Sequence, residues 1–185
     1  MELVYNMRNI KRPAVFLDRD GVVTEEKGYV GSIDELHVFE YAGDCVAKIK
    51  EKGYYSIVVT NQSGIARGLF TESDLQKMNQ YLFERTGVDA IYYCPHHPEG
   101  AVEDYKKSCE CRKPGTGLLN QACRDFNIDL SRSYMVGDRA SDILMGQKAG
   151  IRTILVESGY GTVGLEAEVS PDYICNDLRD VIEII

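Results

Sequence analysis

Apolar residues recur along this chain in two spacings. Short unbroken runs occur at Ala14-Val15-Phe16-Leu17, Tyr55 to Thr60, Ala90 to Cys94, Tyr134 to Val136 and Thr153 to Val156. They are rich in β-branched and aromatic residues and are closed by polar ones, as strands buried on both faces are. Between them the apolar positions fall three and four apart. Ala42, Cys45, Val46 and Ile49 share one helical face ahead of Gly53, and Leu75, Met78, Leu82 and Phe83 share another behind a Thr71–Asp74 capping box. Leu119, Ala122, Cys123 and Phe126 form a third face, and a helix over about 140–149 closes at Gly150. A short element at 173–175 and a terminal helix complete the series. Strands alternating with helices predict an α/β fold, a parallel sheet with helices on both faces.

Such sheets bind ligands at the carboxyl ends of their strands. Asp18, Thr60, Cys94 and Asp138 each fall at such an end. Asp18 and Asp20 are two residues apart in extended chain, so their side chains point the same way and converge on one site. Two like charges that close resist joint ionisation unless a cation or an unequal environment separates them. Asp18, Asp20 and Asp138 suit a hard cation such as Mg²⁺, and Arg112 and Lys113 suit an anionic substrate, with phosphate the candidate. The chain has no Gly-rich nucleoside-triphosphate loop, which favours hydrolysis of a phosphate monoester. The chemistry expected is attack by Asp18 on phosphorus to give an aspartyl phosphate, with Asp20 passing the proton to and from the leaving and attacking oxygens. Asp18, a backbone carbonyl near Asp20, and Asp138 are expected to hold Mg²⁺, while Thr60 and Lys113 hold the phosphoryl oxygens. Each piece has an ordinary reading by itself: Gly137-Asp138, for instance, reads as a strand-to-helix turn with Asp138 or Ser141 capping the helix.

Cys94-x-His96 and Cys109-x-Cys111 bracket the one long non-periodic stretch, Pro95 to Gly117. Three thiolates and an imidazole suit a closed, structural Zn²⁺ site, with His96 or His97 as the nitrogen ligand. A zinc loop over about 94–111 would order that stretch and fix Arg112 and Lys113. Cys45, Cys123 and Cys175 read as small hydrophobes, and His37 as a surface residue.

The 185 residues suit one domain, 1–185, and the net charge of −8 argues against nucleic acid or an anionic membrane surface as partner. Met1 to Lys11 is polar, without an apolar signal core. A cytoplasmic monomer acting on a small molecule is the expectation.

Asp18-Arg19-Asp20-Gly21, Thr60, Lys113 and Gly137-Asp138 together resemble the motif set of the haloacid-dehalogenase-like phosphatases. Within them, residues 60–68, Cys94-Pro95-His96-His97-Pro98 and Cys109-Glu110-Cys111-Arg112-Lys113-Pro114 are similar to the D-glycero-D-manno-heptose 1,7-bisphosphate 7-phosphatases, with histidinol-phosphate phosphatases as close relatives. The resemblance implies a capless, three-layer Rossmann-like fold, Mg²⁺ dependence, a structural zinc with His96 as ligand, and a sugar phosphate substrate. It also implies substrate contacts at Glu26, Lys27, Gly28, Tyr29, Thr60, Asn61, Gln62, Ser63, Arg112 and Lys113, with Arg139 where a lysine is frequent. Alternatives are a histidinol-phosphate phosphatase, a non-catalytic zinc-stapled interaction module and a polynucleotide phosphatase.

Overall fold

Six strands form one sheet: β1 (Ala14–Leu17), β2 (Tyr55–Asn61), β3 (Ala90–Cys94), β4 (Tyr134–Gly137), β5 (Arg152–Val156) and β6 (Tyr173–Cys175). Their order is β3-β2-β1-β4-β5-β6 and every pairing is parallel. The computed structural model describes residues 11–165 and 168–185. The polar start of the chain, residues 1–10, lies outside them.

The strands are apolar throughout because both faces of the sheet are covered. Ala14 and Phe16 point to one side, Val15 and Leu17 to the other, and none of the four has exposed surface. Helices α1 (Ala42–Glu51), α2 (Glu72–Thr86) and α5 (Leu178–Val181) pack on the Val15 and Leu17 side. Helices α3 (Gly117–Asp125) and α4 (Ala140–Lys148) pack on the other.

The helical spacing places the core well. Ala42, Cys45, Val46 and Ile49 are all buried along α1. At the start of α2, Thr71 Oγ1 accepts the Asp74 N–H at 3.1 Å while Asp74 Oδ2 accepts the Thr71 N–H at 3.1 Å. Phe83 departs from the expectation: it is 45% exposed, and Thr86 instead joins Leu75, Met78 and Leu82 in the buried stripe. On α3, Leu118 joins Leu119 and Ala122 in the core, and Cys123 and Phe126 are only partly buried. Cys45 and Cys175 are buried as small hydrophobes. His37 is half exposed beside Glu25.

The strand order decides where a ligand can sit. From β1 the chain runs outward through β2 to β3, then crosses back to β4 on the other side of β1. The connections after β1 and β4 therefore leave in opposite directions and open a crevice between their carboxyl ends. The long connections, residues 18–41 and 95–116, carry 3-10 turns at Ile33–Glu35 and Glu103–Tyr105 and the isolated bridges Asp20–Thr24 and Thr24–Val38, so no cap domain is inserted there. No helix among the described residues is long and apolar enough to cross a membrane.

Candidate active site

Asp18 stands where β1 ends, its N–H donating to the Val136 carbonyl of β4 at 2.9 Å. The turn that follows needs Gly21, whose φ of +83° is a left-handed conformation. A Cβ at Gly21 would also strike the Asp138 carboxylate, and one at Gly159 would strike it from another side. The Gly21 turn after β1 and the Gly159 turn after β5 thus both close against the Asp138 carboxylate at the end of β4.

Lys113 lies between these ends. Its Nζ is 2.8 Å from Asp18 Oδ1 and 2.6 Å from Asp142 Oδ1, and it donates to the Val59 carbonyl at 2.9 Å. An ammonium has three protons, and each finds an acceptor. Burial pulls the Lys113 pKa down, but the Asp142 and Asp18 carboxylates outweigh it and hold the pKa well above the usual lysine range. Lys113 is therefore a fixed positive charge. Asn61 holds its backbone from both sides, Oδ1 accepting the Lys113 N–H at 3.0 Å and Nδ2 donating to the Lys113 carbonyl at 3.2 Å.

Asp18, Asp138 and Asp142 bring carboxylate oxygens within 4.8 Å of one another, and all three residues are buried. Burial, opposed by Lys113 and reinforced by Asp142 and Asp20, pushes the Asp18 pKa up to about 6. Burial and the nearby Asp18 push Asp138 up to about 8. One ammonium does not balance three carboxylates. Asp138 Oδ2 accepts the Tyr160 N–H at 2.9 Å, but its buried Oδ1 has no partner among the described residues. An orphaned, buried carboxylate oxygen beside two further carboxylates fits a hard divalent cation.

Sequence reasoning missed Asp142. The ordinary reading of Gly137-Asp138 has Asp138 or Ser141 capping α4; in the structure Asp142 Oδ2 accepts the Arg139 N–H at 3.1 Å while its Oδ1 meets Lys113. Asp138 precedes α4 and Asp142 sits in its first turn, so no helical period in the sequence pairs the two.

Asp20 opens on the same cavity as Asp18, but its carboxylate is engaged elsewhere. It accepts from Arg19 Nε at 3.1 Å and Nη2 at 2.9 Å, from Gln62 Nε2 at 3.0 Å and from Thr24 Oγ1 at 3.3 Å. The Asp20 side chain therefore lies outside the three-carboxylate cluster, and only a backbone carbonyl near it is left for the expected metal contact. Gln62 Nε2 also donates to Thr60 Oγ1 at 3.0 Å, which frees the Thr60 hydroxyl proton to point elsewhere.

A cavity of about 270 Å³ opens on these groups. Of the expected contacts, Glu26, Gly28, Tyr29, Thr60, Asn61, Gln62, Ser63, Arg112, Lys113 and Arg139 line it. Lys27 does not; its ammonium pairs with Glu25 at 3.0 Å. Arg139 is held 3.1 Å from Glu26 and stacked 3.8 Å above the Tyr160 ring. Arg67 and His97, not among the expected contacts, also line the cavity.

Cys94, His96, Cys109 and Cys111 meet at one end of the long loop. Their sulfurs are 3.0 to 3.4 Å apart, and His96 Nδ1 is 3.3 Å from Cys111 Sγ and 3.8 Å from Cys94 Sγ. Four soft and borderline donors converging this closely could hold tetrahedral zinc with no position open. His97 is excluded from the quartet, since its Nδ1 accepts the Glu99 N–H and its Nε2 faces Arg67. Gly115 and Gly117 keep the chain tight after the quartet, where a Cβ on either would strike the Glu110 carbonyl.

Comparison with known proteins agrees with this geometry. A family model described as "HAD-hyrolase-like" matches residues 110–181. A D-glycero-beta-D-manno-heptose-1,7-bisphosphate 7-phosphatase of Haemophilus ducreyi is 44% identical over 178 residues, covering 92% of this chain and 97% of the relative. The enzyme of the same name from Escherichia coli is 41% identical over 179 residues, covering 94% and 93%. Among solved structures, the D,D-heptose 1,7-bisphosphate phosphatase of B. bronchiseptica complexed with magnesium and phosphate superposes with a TM-score of 0.80 at 32% identity, covering 93% of this chain and 97% of that one. With the strand order, the buried lysine and the carboxylate cluster beside these likenesses, the chain belongs to the haloacid-dehalogenase-like phosphatases, in the family of the heptose-1,7-bisphosphate 7-phosphatases.

Proposed function

We propose that this protein removes the C7 phosphate of D-glycero-β-D-manno-heptose 1,7-bisphosphate, as its relatives are named to do, with Asp18 as the nucleophile. The observation that carries the reading is the buried Lys113 ammonium, which meets Asp18 and lines the same cavity as Thr60. A phosphoryl group placed against Asp18 would find the Lys113 charge and the Thr60 hydroxyl beside its oxygens, where charge redistributes during transfer. Asp18 attacks phosphorus, the bond to the sugar oxygen breaks, and that oxygen takes a proton from Asp20. Water then attacks the aspartyl phosphate and gives its proton back to Asp20, restoring both carboxyl groups and releasing phosphate. The Arg19, Gln62 and Thr24 contacts fix the position of the Asp20 carboxylate at the cavity.

Asp18 and Asp138, flanked by Asp142 and with a backbone carbonyl near Asp20, would hold Mg²⁺. Bound there, the ion would offset the repulsion between the nucleophile and the phosphate. Cys94, His96, Cys109 and Cys111 would hold zinc as a structural clamp on the loop that carries Arg112 and Lys113. Arg112, Arg139, Glu26, Gly28 and Tyr29 are proposed to contact the sugar. The net charge of −8 and the small cavity support a small anionic substrate over a polynucleotide. We read residues 1–185 as one catalytic domain working in the cytoplasm.

Phosphate release from heptose 1,7-bisphosphate and from histidinol phosphate, with Mg²⁺, tests the substrate. Faster turnover of histidinol phosphate would overturn the choice. Asp18→Asn should lose at least about 10⁴-fold in kcat while keeping its circular dichroism spectrum, as loss of a nucleophile does elsewhere. Retained turnover in that variant would remove Asp18 from its role.

A further inference from the structure

Arg67 and His97 face each other across the cavity wall with donors on both sides. His97 Nδ1 accepts the Glu99 N–H at 3.1 Å, so in the neutral ring the proton sits on Nε2. That Nε2 is 3.3 Å from Arg67 Nη2, which can only donate. Two N–H groups pointed at one another lack the acceptor that would satisfy both. A second deficit lies on the same side chain: Arg67 Nε is buried and has no partner among the described residues. No carboxylate among the described residues pairs with Arg67 or with Arg112, whose nearest acceptor is the His96 carbonyl at 3.5 Å. This is a donor-rich, acceptor-poor corner, distinct from the Lys113 ammonium, which is fully engaged.

The corner is built rather than incidental. The Ala66 carbonyl accepts the Ala101 N–H at 2.7 Å and the Val102 N–H at 2.9 Å, tying the turn that carries Arg67 to the loop that carries His97. Gly68, with φ of +74°, lets that turn close, and a Cβ at Gly100 would press on the Ala66 carbonyl at 2.8 Å. The Arg67 guanidinium also lies over the Tyr29 ring at 5.9 Å, another wall of the cavity. A planar guanidinium held with free N–H groups matches a phosphate better than a point charge does.

We propose that Arg67, together with the Nε2–H of His97, is a second anion subsite that binds the non-reacting phosphate of a bisphosphate substrate and sets the preference for bisphosphates over monophosphates. The inference rests on the phosphatase reading above and deepens it. The reacting phosphate meets Asp18, Thr60 and Lys113; the other phosphate supplies the acceptor that the Arg67–His97 pair lacks. Charge-assisted hydrogen bonds of this kind correspond to about 10- to 100-fold in affinity.

The test uses two ligands, a heptose 1,7-bisphosphate and the corresponding 7-monophosphate, on the full chain and on Arg67→Ala and Arg67→Lys. The ratio of kcat/KM for bisphosphate over monophosphate should fall about 10- to 100-fold in Arg67→Ala, through KM more than kcat, and recover in part in Arg67→Lys. Titration of both ligands into Asp18→Asn and into Asp18→Asn/Arg67→Ala should show the same collapse of the affinity ratio without any turnover. An unchanged ratio, or equal losses on both ligands, overturns the subsite. Absent turnover of both ligands by the parent chain instead overturns the phosphatase reading, and the titrations still decide the subsite.

Discussion

At the ends of β1 and β4 the fold buries charges: Asp18 and Asp142 share one ammonium with Asp138 beside them, and two of the three carboxyls are pushed toward neutral pH. In residues 94–111 the fold instead gathers three thiols and an imidazole on a loop with one 3-10 turn and little other regular structure. The first region is held in place by sheet pairing, and a cation there would change its charge. Beyond Cys94, at the end of β3, the second has no sheet to hold it, and a cation there would hold its backbone. The two metals proposed for this protein therefore answer different needs, one electrostatic and one conformational. Lys113 joins them, since it is two residues after Cys111 and meets Asp18.

The comparison breaks most sharply at that lysine. Lys113→Met removes the one charge that the carboxylates share and leaves them buried without it, so we expect a loss of about 3–5 kcal/mol in unfolding free energy, read by urea denaturation, together with loss of turnover. Removing a cysteine strikes the other region. Cys109→Ser should cut kcat/KM about 10- to 100-fold by loosening the Arg112 and Lys113 segment, in the range seen when supports of a metal site are removed. Its zinc content should fall while far-ultraviolet circular dichroism stays near that of the parent.

A smaller effect separates the two regions by pH. In the folded chain Asp18 and Asp138 hold their protons up to about 6 and about 8, against 3.8 for an ordinary aspartate. Between these values the folded state binds more protons than the unfolded state, so without Mg²⁺ stability falls as pH rises. Added Mg²⁺ should replace the missing positive charge and raise the Tm more at pH 8 than at pH 5, measured by calorimetry on zinc-loaded protein. An equal rise at both pH values would show that the ion does not bind at the carboxylates. The smallest effect is expected at Lys27→Ala. Its ammonium faces Glu25 outside the cavity, so kcat/KM should stay within about twofold, the scale of a surface ion pair.

Much of the site was legible along the chain because four of its functional residues lie at strand ends. Asp18, Thr60, Cys94 and Asp138 follow buried apolar runs, and the parallel pairing puts all four at one edge. Asp142 was not legible, since a carboxylate in the first turn of a helix is what a capped helix shows in any protein. Nor was the engagement of Asp20 by Arg19 and Gln62, which depends on a side chain from β2's end reaching across to β1's. Arg67 gave no signal of its own, standing in a Gly-rich turn as many surface arginines do.

The spacing of apolar residues by itself determined the six parallel strands' approximate places, the helices between them and the edge at which chemistry would collect, since local geometry dictates the two periods. It also determined the thiol and imidazole donors, because their types are rare enough to carry meaning without coordinates. Only the tertiary structure decided which carboxylate shares Lys113, which histidine joins the cysteines and which cations face the cavity unpaired. Those outcomes turn on distances of a few ångströms between residues far apart in sequence, and Coulomb and hydrogen-bond energies change most steeply over that range.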